Sequence, residues 1–594
     1  MPKAILESVN WNFTKETTKA GLTYIKAYKT RWFPELKTSK RVMRRHVGRL
    51  LDDDQIVISE KFIADHPEYA NGPWYWGIDK RPVSYDEYRR QFPEKPGVPP
   101  VDEDDTEPQP TLSIGLTWAA VEFARNHGIL THLQEVFGKQ LGEELLYLAI
   151  FKLAGGTSMM TYDVWRQLNW MPNHLRMSSQ KISEILAAVS RQNVTDYFAL
   201  RHKRQGEVWE RIFAKRPELK DKPIAYALDN TSISTYSSTI AEAQYGHAKR
   251  DEHLKQVNYT VVCDQCSGDI VFTYLYDGAI NDVTALKDIL AEMSAAQFDL
   301  SKNVLVTDRG YSSISNVQKL INLDLAYVQG VRLCEDSIKR QFEKHEAALN
   351  SVGFYDGDLQ VSAYTYKEPW QQTTDAGRLK LNTYVHLYRL DGKQEAQRLL
   401  IWKNTKEILD LMAKNLRVPS ELWDEYRHFL IETTDEHGKT RLVQNVSKID
   451  RLSKQAAYFV LRSNCIADPF EALRIYRRRG VVEQDFNQLK NWVDGDRLHV
   501  GANSLHGKVL VNTLATALRM MILVTAKRQA DRRPQLKIPG NSIDFLLKEL
   551  ELIRAQKRKN ANAWVRGSIS ATRRRYLELL ELPEPPRLLY IGIR

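Results

Sequence analysis

The chain has 594 residues, 43% apolar and 27% charged, a balance that describes a soluble globular protein of several domains with sizeable cores. No apolar run reaches the roughly 18 residues of a membrane helix and no signal-peptide pattern opens the chain, so no membrane partner is expected. Lys and Arg outnumber Asp and Glu by 85 to 74, a net charge of +11 that by itself points only weakly to nucleic acid, and four cysteines argue for a reducing compartment without a disulfide scaffold.

Residues 1–92 mix alternating runs (LTYIKAYKTRWF, DQIVISEKFI) with the basic cluster 40–45 and the aromatics Trp74, Tyr75 and Trp76. Two readings stand: a small mixed α/β domain whose basic edge touches DNA, and a cap with a solvated face. Residues 93–110 are rich in proline and acid, concentrated at 102–107, with little to bury, and predict a linker or exposed loop. From 111 to 222 apolar residues recur three and four apart, which predicts a helical subdomain. Ser178 and Ser179 are candidate caps for one of its helices. That subdomain either docks DNA through a helix-turn-helix variant or simply supports the next domain.

At Pro223 the period changes. IAYALDNTSIST, KQVNYTVVCDQ and GDIVFTYLYDGAI predict three strands, followed by a helix, DVTALKDILAEMSAAQ, and a buried strand, NVLVTDRGY. Three strands, a helix and a fourth strand is the order of a ribonuclease-H-like α/β core, whose first part would span 223–333. In such a sheet the first and fourth strands are neighbours, which would bring Asp229 and Asp308 together at the carboxyl ends of their strands. Cys263 and Cys266 form a C-x-x-C, but Cys334 and Cys465 are single and distant, so a hairpin turn is favoured over zinc. Residues 334–455 predict a β-rich insertion, 456–530 the second part of the core, and 531–594 a basic C-terminal region with clusters at 557–559 and 573–575.

The most informative stretch is 468–492, DPFEALRIYRRRGVVEQDFNQLKNW, with a further basic cluster at 477–479. Asp468 is a candidate cap and Pro469 suits the first helical position. On a continuous helix at about 100° per residue, Tyr476, Arg479, Glu483 and Lys490 fall within about 60° of one face, beside an apolar stripe of Ile475, Val482, Phe486 and Leu489. An acid among cations suits a metal and a polyanion meeting at one place, although an ordinary amphipathic helix with salt bridges has the same pattern. Asp229, Asp308 and Glu483 together form a trio of hard oxygen donors suited to Mg²⁺ or Mn²⁺, and two ions about 4 Å apart can serve an in-line phosphoryl displacement.

Tyr476, Arg479, Glu483 and Lys490 stand in the spacing Y-(2)-R-(3)-E-(6)-K, and LDNTSI and VTDRGY surround the two aspartates. In these motifs the chain resembles the bacterial insertion-sequence DDE transposases that carry this signature, insertion-sequence family four and its relatives. The resemblance covers about 223–525 and extends loosely back to 112. It implies that Asp229, Asp308 and Glu483 are the catalytic metal ligands and that Tyr476, Arg479 and Lys490 hold phosphates at the transposon end. It also implies two Mg²⁺ or Mn²⁺ ions, terminal inverted repeats and target duplex DNA as partners, and a homodimer on two ends. The setting would be the bacterial cytoplasm and nucleoid. Cut-and-paste transposition would follow, through a DNA hairpin in many relatives. Gly480 follows the arginine where some relatives carry a stacking tryptophan, leaving Trp402 and Trp492 as candidates. A DNA-binding derivative without catalysis and a metal-dependent nuclease on the same fold are the alternatives.

Overall fold

The computed structural model describes residues 11–18, 22–33, 35–51, 54–92, 110–172, 176–220, 223–246, 253–298, 303–333, 336–374, 377–434, 436, 438, 440–558 and 563–590. The acidic cluster 102–107, Cys334 and all of the expected linker but Pro110 lie outside the described residues. Two compact units are present, 1–110 with 557–562 and 111–556 with 563–594.

The first unit is an antiparallel sheet of six strands in sequence order: β1 (Asn12–Thr17), β2 (Thr23–Phe33), β3 (Thr38–Leu50), β4 (Gln55–Ile58), β5 (Trp74–Trp76) and β6 (Pro82–Ser84). Two short helices, α1 (Glu60–Asp65) and α2 (Tyr85–Gln91), begin at Ser59 and Ser84, whose hydroxyls accept backbone N–H groups of the first turn. Ile25, Ala27, Val47, Ile56, Phe62 and Trp76 form the buried centre.

The second unit opens with a short strand, β7 (Thr111–Ser113), and the helices α3 (Gly115–Asn126), α4 (Ile129–Phe137), α5 (Lys139–Leu153), α6 (Tyr162–Leu168), α7 (Ser179–Ala187) and α8 (Arg191–Lys215). Ser178 caps α7, and Ser190 with Asn193 makes a capping box at α8. The large sheet follows. It contains β8 (Ile224–Thr235), β9 (Lys255–Asp264), β10 (Ile270–Asp277), β11 (Asn303–Thr307), β12 (Ala326–Val331), β13 (Tyr355–Asp356), β14 (Val361–Thr374), β15 (Gly377–Leu390) and, after β16 (Leu430–Thr434) and β17 (Thr440–Gln444), β18 (Tyr458–Ser463). Its order is β10-β9-β8-β11-β12-β18-β15-β14-β13, with β19 (Arg497–Leu498) beside the far end of β8. Strands β8, β11 and β12 are parallel, while β9, β10 and β18 run antiparallel to their neighbours.

The parallel strands are connected by α9 (Asp282–Ala295), ahead of β11, and α10 (Ile314–Asn322), between β11 and β12. Both faces of the sheet are covered, so its strands read as near-continuous apolar runs. Tyr226 and Leu228 pack in the cluster with α9 and α10, and Ala227 between them packs in the cluster with α3 to α8. The C-x-x-C is the β9–β10 turn: the Asp264 carboxylate accepts N–H groups from Cys266 and Ser267, and Cys263 and Cys266 are free thiols.

Three expectations change. The stretch 334–455 is mixed rather than β-rich. It contains α11 (Asp336–Leu349), α12 (Lys393–Ala413), α13 (Ser420–Tyr426) and α14 (Val446–Ala456), and its long hairpin β14–β15 joins the central sheet through β18. Alternation on that hairpin is strong in sequence, whereas the helices there are polar and easily underweighted. The helix expected over 468–492 is broken into α15 (Pro469–Arg477) and α16 (Gly480–Asn487), followed by a π-helical turn, Gln488–Trp492. Asp229 does not end its strand. β8 continues to Thr235, because antiparallel β9 pairs with it from Tyr226 to Thr235.

The chain closes with α17 (Leu505–Arg532), α18 (Ile543–Glu551), β20 (Arg554–Lys557), β21 (Ala563–Arg566), α19 (Ala571–Leu579) and β22 (Leu588–Tyr590). Strands β22, β21, β20 and β7 make a small sheet. Helix α17 with its preceding turn is long and apolar enough to cross a membrane by length and composition, yet 94% of that window is buried inside the unit. It is apolar all round because other elements surround it. Its buried Arg519 ties three of them together: Gln488 in the π turn at 2.7 Å, the Leu153 carbonyl at 2.9 Å, and the Asp544 carboxylate.

Candidate active site

Strand pairing brings the two aspartates together. Parallel β11 pairs with β8 up to Thr307 opposite Leu228, so Asp308 and Asp229 are the next residues on adjoining strands. Asp229 is therefore mid-strand toward β9 but lies just past the last pair formed with β11. Asp308 precedes a single 3₁₀ turn, and its side chain makes no capping bond there. Helix α15 starts at Asp468, whose carboxylate accepts the Phe470 N–H, with Pro469 at the first helical position.

The break after α15 shapes the site. Arg479 N–H bonds the Tyr476 carbonyl at 2.9 Å, and Val481 and Val482 bond back to Arg478 and Arg479 in the same three-residue register. This tightened turn lets the Arg479 side chain, only 10% exposed, enter among the acids. One guanidinium nitrogen donates to Asp229 Oδ2 at 3.0 Å. The other donates to Glu483 Oε1 at 2.5 Å and lies 3.8 Å from Asp308 Oδ1. The Tyr476 hydroxyl donates to Asp308 Oδ1 at 3.1 Å. Burial works against the Arg479 charge, but Asp308, Asp229 and Glu483 outweigh it and raise its pKa. Burial, then Asp308, also pushes the Tyr476 phenol upward, so it stays a proton donor.

The predicted acids and Arg479 thus converge, with Arg479 on carboxylates rather than facing outward. Lys490 lies on the π turn and is half-buried. The tryptophans Trp402 and Trp492 are 46% and 45% exposed, and Arg519 packs over Trp492. As they stand, no three His, Cys, Asp or Glu side chains among the described residues enclose a metal position. The donor set nevertheless fits a divalent cation: three carboxylates gather around one positive group, and those oxygens are the hard ligands that Mg²⁺ and Mn²⁺ take.

Several contributors are not singled out by the sequence pattern, although Asn230 and Arg309 lie within LDNTSI and VTDRGY. Asn230 bonds the Tyr276 hydroxyl at 2.5 Å and Asp282 at 3.1 Å, and accepts from Thr260 at 2.6 Å, bracing the strand beside Asp229. Gly330 on β12 is a close-approach position: a Cβ there would lie 2.8 Å from the Tyr476 hydroxyl and 2.9 Å from the Arg309 amide. Arg309 and Arg332 are exposed beside Asp308, with the Arg332 guanidinium donating to the Arg309 and Gly310 carbonyls, and among the described residues they form no ion pair. An open groove runs past Asp308, Arg309, Gly330, Tyr476 and Arg479. Asp485 faces the other way on α16, buried with the Cys263 thiol beside it. Only the three-dimensional juxtaposition separates these residues from ordinary surface arginines and strand polars.

No curated protein matches the chain significantly. Among solved structures, a cryo-EM structure of the piggyBac transposase synaptic complex with hairpin DNA is similar, with a TM-score of 0.33 and 11% identity over 73% of this chain and 79% of that one. The family described as Transposase DDE domain matches residues 220–518, half of the chain, from just before β8 into α17 and across all three acids. With that match over the acid-bearing sheet and helix, the chain belongs to the DDE transposase family.

Proposed function

We propose that the protein is the transposase of an insertion sequence, which binds the element's terminal inverted repeats, cuts at their 3′ ends and joins them to target DNA. One observation carries the reading: Asp229 on β8, Asp308 just past β11 and Glu483 on α16 meet around the one buried guanidinium of Arg479. The strand order β10-β9-β8-β11-β12 supports a ribonuclease-H-like core for this chemistry. Asp229, Asp308 and Glu483 would hold Mg²⁺ or Mn²⁺, two ions when loaded. Such a pair supplies an activated attacking oxygen and a stabilised leaving oxygen in phosphodiester displacement.

The chain's own residues then have distinct tasks. Arg479 neutralises the carboxylates in the resting protein and, when a DNA end arrives, turns its planar fork to a phosphate, which it can grip bidentately. Tyr476 holds the Asp308 carboxylate in place. Arg309 and Arg332 at the rim, with Lys490 on the π turn, supply cations for the strands leaving the site. Trp402 or Trp492 stacks a base extruded beside the cut. A homodimer processes two ends together, through a DNA hairpin or by direct strand transfer, in the bacterial cytoplasm.

Cleavage of a labelled duplex carrying the inverted repeats that flank the gene tests this reading. Glu483→Gln is expected to lower Mg²⁺-dependent 3′-end cutting by about a thousandfold while leaving DNA binding intact. Retained cutting sinks the assignment. Cutting without joining of a pre-cut end makes the protein a nuclease instead, and binding without any cutting leaves a DNA-binding derivative.

A further inference from the structure

The β2–β3 hairpin carries far more positive charge than the described residues of its own unit neutralise. Between Thr23 and Leu50 stand nine lysines and arginines against one acid, Glu35. Arg44 finds Glu16 on β1, whereas Lys40, Arg41 and Arg45 form no ion pair among the described residues. The neighbouring strands stop short: β1 pairs with β2 only as far as Tyr28, and β4 reaches only Gly48 on β3. Among the described residues, only β2 and β3 continue beyond those points, as a ribbon, to Phe33 and Thr38, and β3 is exposed from Thr38 to His46.

A ribbon without a third strand is marginal by itself. This one also places Arg31 directly opposite Lys40, a like-charge pair that costs stability. Register shifts at Val47 and Val42 coil it further. One face alternates rings with cations: Tyr24 sits opposite Arg49, Tyr28 opposite Arg44 and Trp32 opposite Ser39. The Arg41 guanidinium lies 4.1 Å from the Tyr28 ring centre, and Trp32 is 45% exposed. Charge of one sign and planar groups, on an element that gains little inside its own fold, are complementary to a polyanion of stacked bases.

We propose that this ribbon enters the major groove of duplex DNA, with Lys40, Arg41 and Arg45 on phosphates and the aromatic face along the groove. A two-stranded ribbon matches the major groove in width, and five residues past Tyr28 reach about 17 Å, more than its depth of about 8.5 Å. The choice of DNA as partner rests on the transposase reading, but the surface itself does not involve the acids.

The test is fluorescence anisotropy of the full-length protein with a mixed-sequence duplex of about 30 base pairs, long enough for about three turns. Each lost phosphate contact lowers the salt slope by about 0.9, so the triple variant K40A/R41A/R45A is expected to bind about a hundredfold more weakly at about 0.15 M salt. Its slope should be shallower by two to three, roughly one per contact. Circular dichroism checks the fold, and R41Q alone should give a proportionately smaller loss if the triple variant unfolds. Methyl green, a major-groove ligand, should displace the wild-type protein. An unchanged affinity and slope, displacement by distamycin alone, or preference for phosphatidylglycerol vesicles over duplex overturns the proposal. A wild-type protein that binds through this ribbon yet never cuts would overturn the transposase reading and leave the ribbon standing.

Discussion

The acid cluster on β8, on α16 and just after β11 and the basic ribbon of β2 and β3 solve the problem of concentrated charge in opposite ways. Around Arg479, three carboxylates have been given an internal counter-ion, and the guanidinium is buried because each acid is close to it. On the ribbon, Lys40, Arg41 and Arg45 have no acid partner among the described residues, and the strand that carries them is exposed. A cluster that neutralises itself can wait in a stable resting state and must be opened to work. A cluster that is left unneutralised is ready at once for an outside anion, and the protein accepts a standing cost for it.

Removing the internal counter-ion should have the largest effect. Arg479→Ala leaves three carboxylates around an uncompensated centre, so Mn²⁺ binding to the DNA-free protein, followed by calorimetry, should tighten tenfold or more, since like charges about 4 Å apart near a protein surface repel by about 4 kcal/mol. End cutting should fall in the same variant because the phosphate grip is gone. Unchanged or weaker Mn²⁺ binding would break the contrast drawn between the two regions.

Moving the support rather than the charge should cost less. Gly330→Ala brings a methyl group to within 2.8 Å of the Tyr476 hydroxyl. The phenol then loses its place on Asp308, and end cutting in single-turnover assays should drop about tenfold to a hundredfold without a change in duplex affinity. Affinity loss in parallel would show that Tyr476 holds DNA rather than the acid.

Asp485 offers a third test, one of pH. Burial keeps its proton on well above the usual carboxylate range, whereas the unfolded chain releases it near about pH 4. The folded form therefore binds a proton that the unfolded form lacks, and the stability this group contributes below about pH 4 is lost as pH rises toward its folded value. Asp485→Asn removes that dependence. Its melting temperature should exceed wild type by a few degrees near about pH 8 and by less near about pH 5. A gain that does not vary with pH would mean that packing, not protonation, governs the site.

The smallest effect belongs to the ribbon. Lys40→Ala relieves the pair with Arg31 and should stabilise the protein by roughly 0.2–1 kcal/mol in denaturant unfolding while weakening duplex binding. A loss of stability would show that the ribbon's charges serve the fold after all.

Much of the candidate site is legible in the amino-acid sequence alone, because it depends on short-range pattern. The strands β8 and β11 are apolar runs whose mutual pairing stops just before the two aspartates, and Arg479 to Glu483 is a four-residue helical spacing that brings two side chains together. The alternating runs and the basic content of the N-terminal stretch are legible as well, but not which strands leave their neighbours behind. The long insertion reads as β-rich, and is not, because alternation in β14 and β15 speaks louder than the polar surfaces of α12 and α14.

What the sequence by itself determined is the inventory: which residue types are present, their local periods, the cap at Asp468, and three candidate acids in recognisable motifs. Only the tertiary structure decided that the 468–492 helix is broken between Arg477 and Gly480, that a π turn follows it against Arg519, and that the freed Arg479 points into the acids. Helical periodicity assumes a straight helix, whereas a tightened turn rotates every later side chain, and such a turn is stabilised by partners hundreds of residues away. Asp229 and Asp308 show the same division. Their chemistry is written in two short motifs, but their adjacency exists only because β11 lies parallel beside β8.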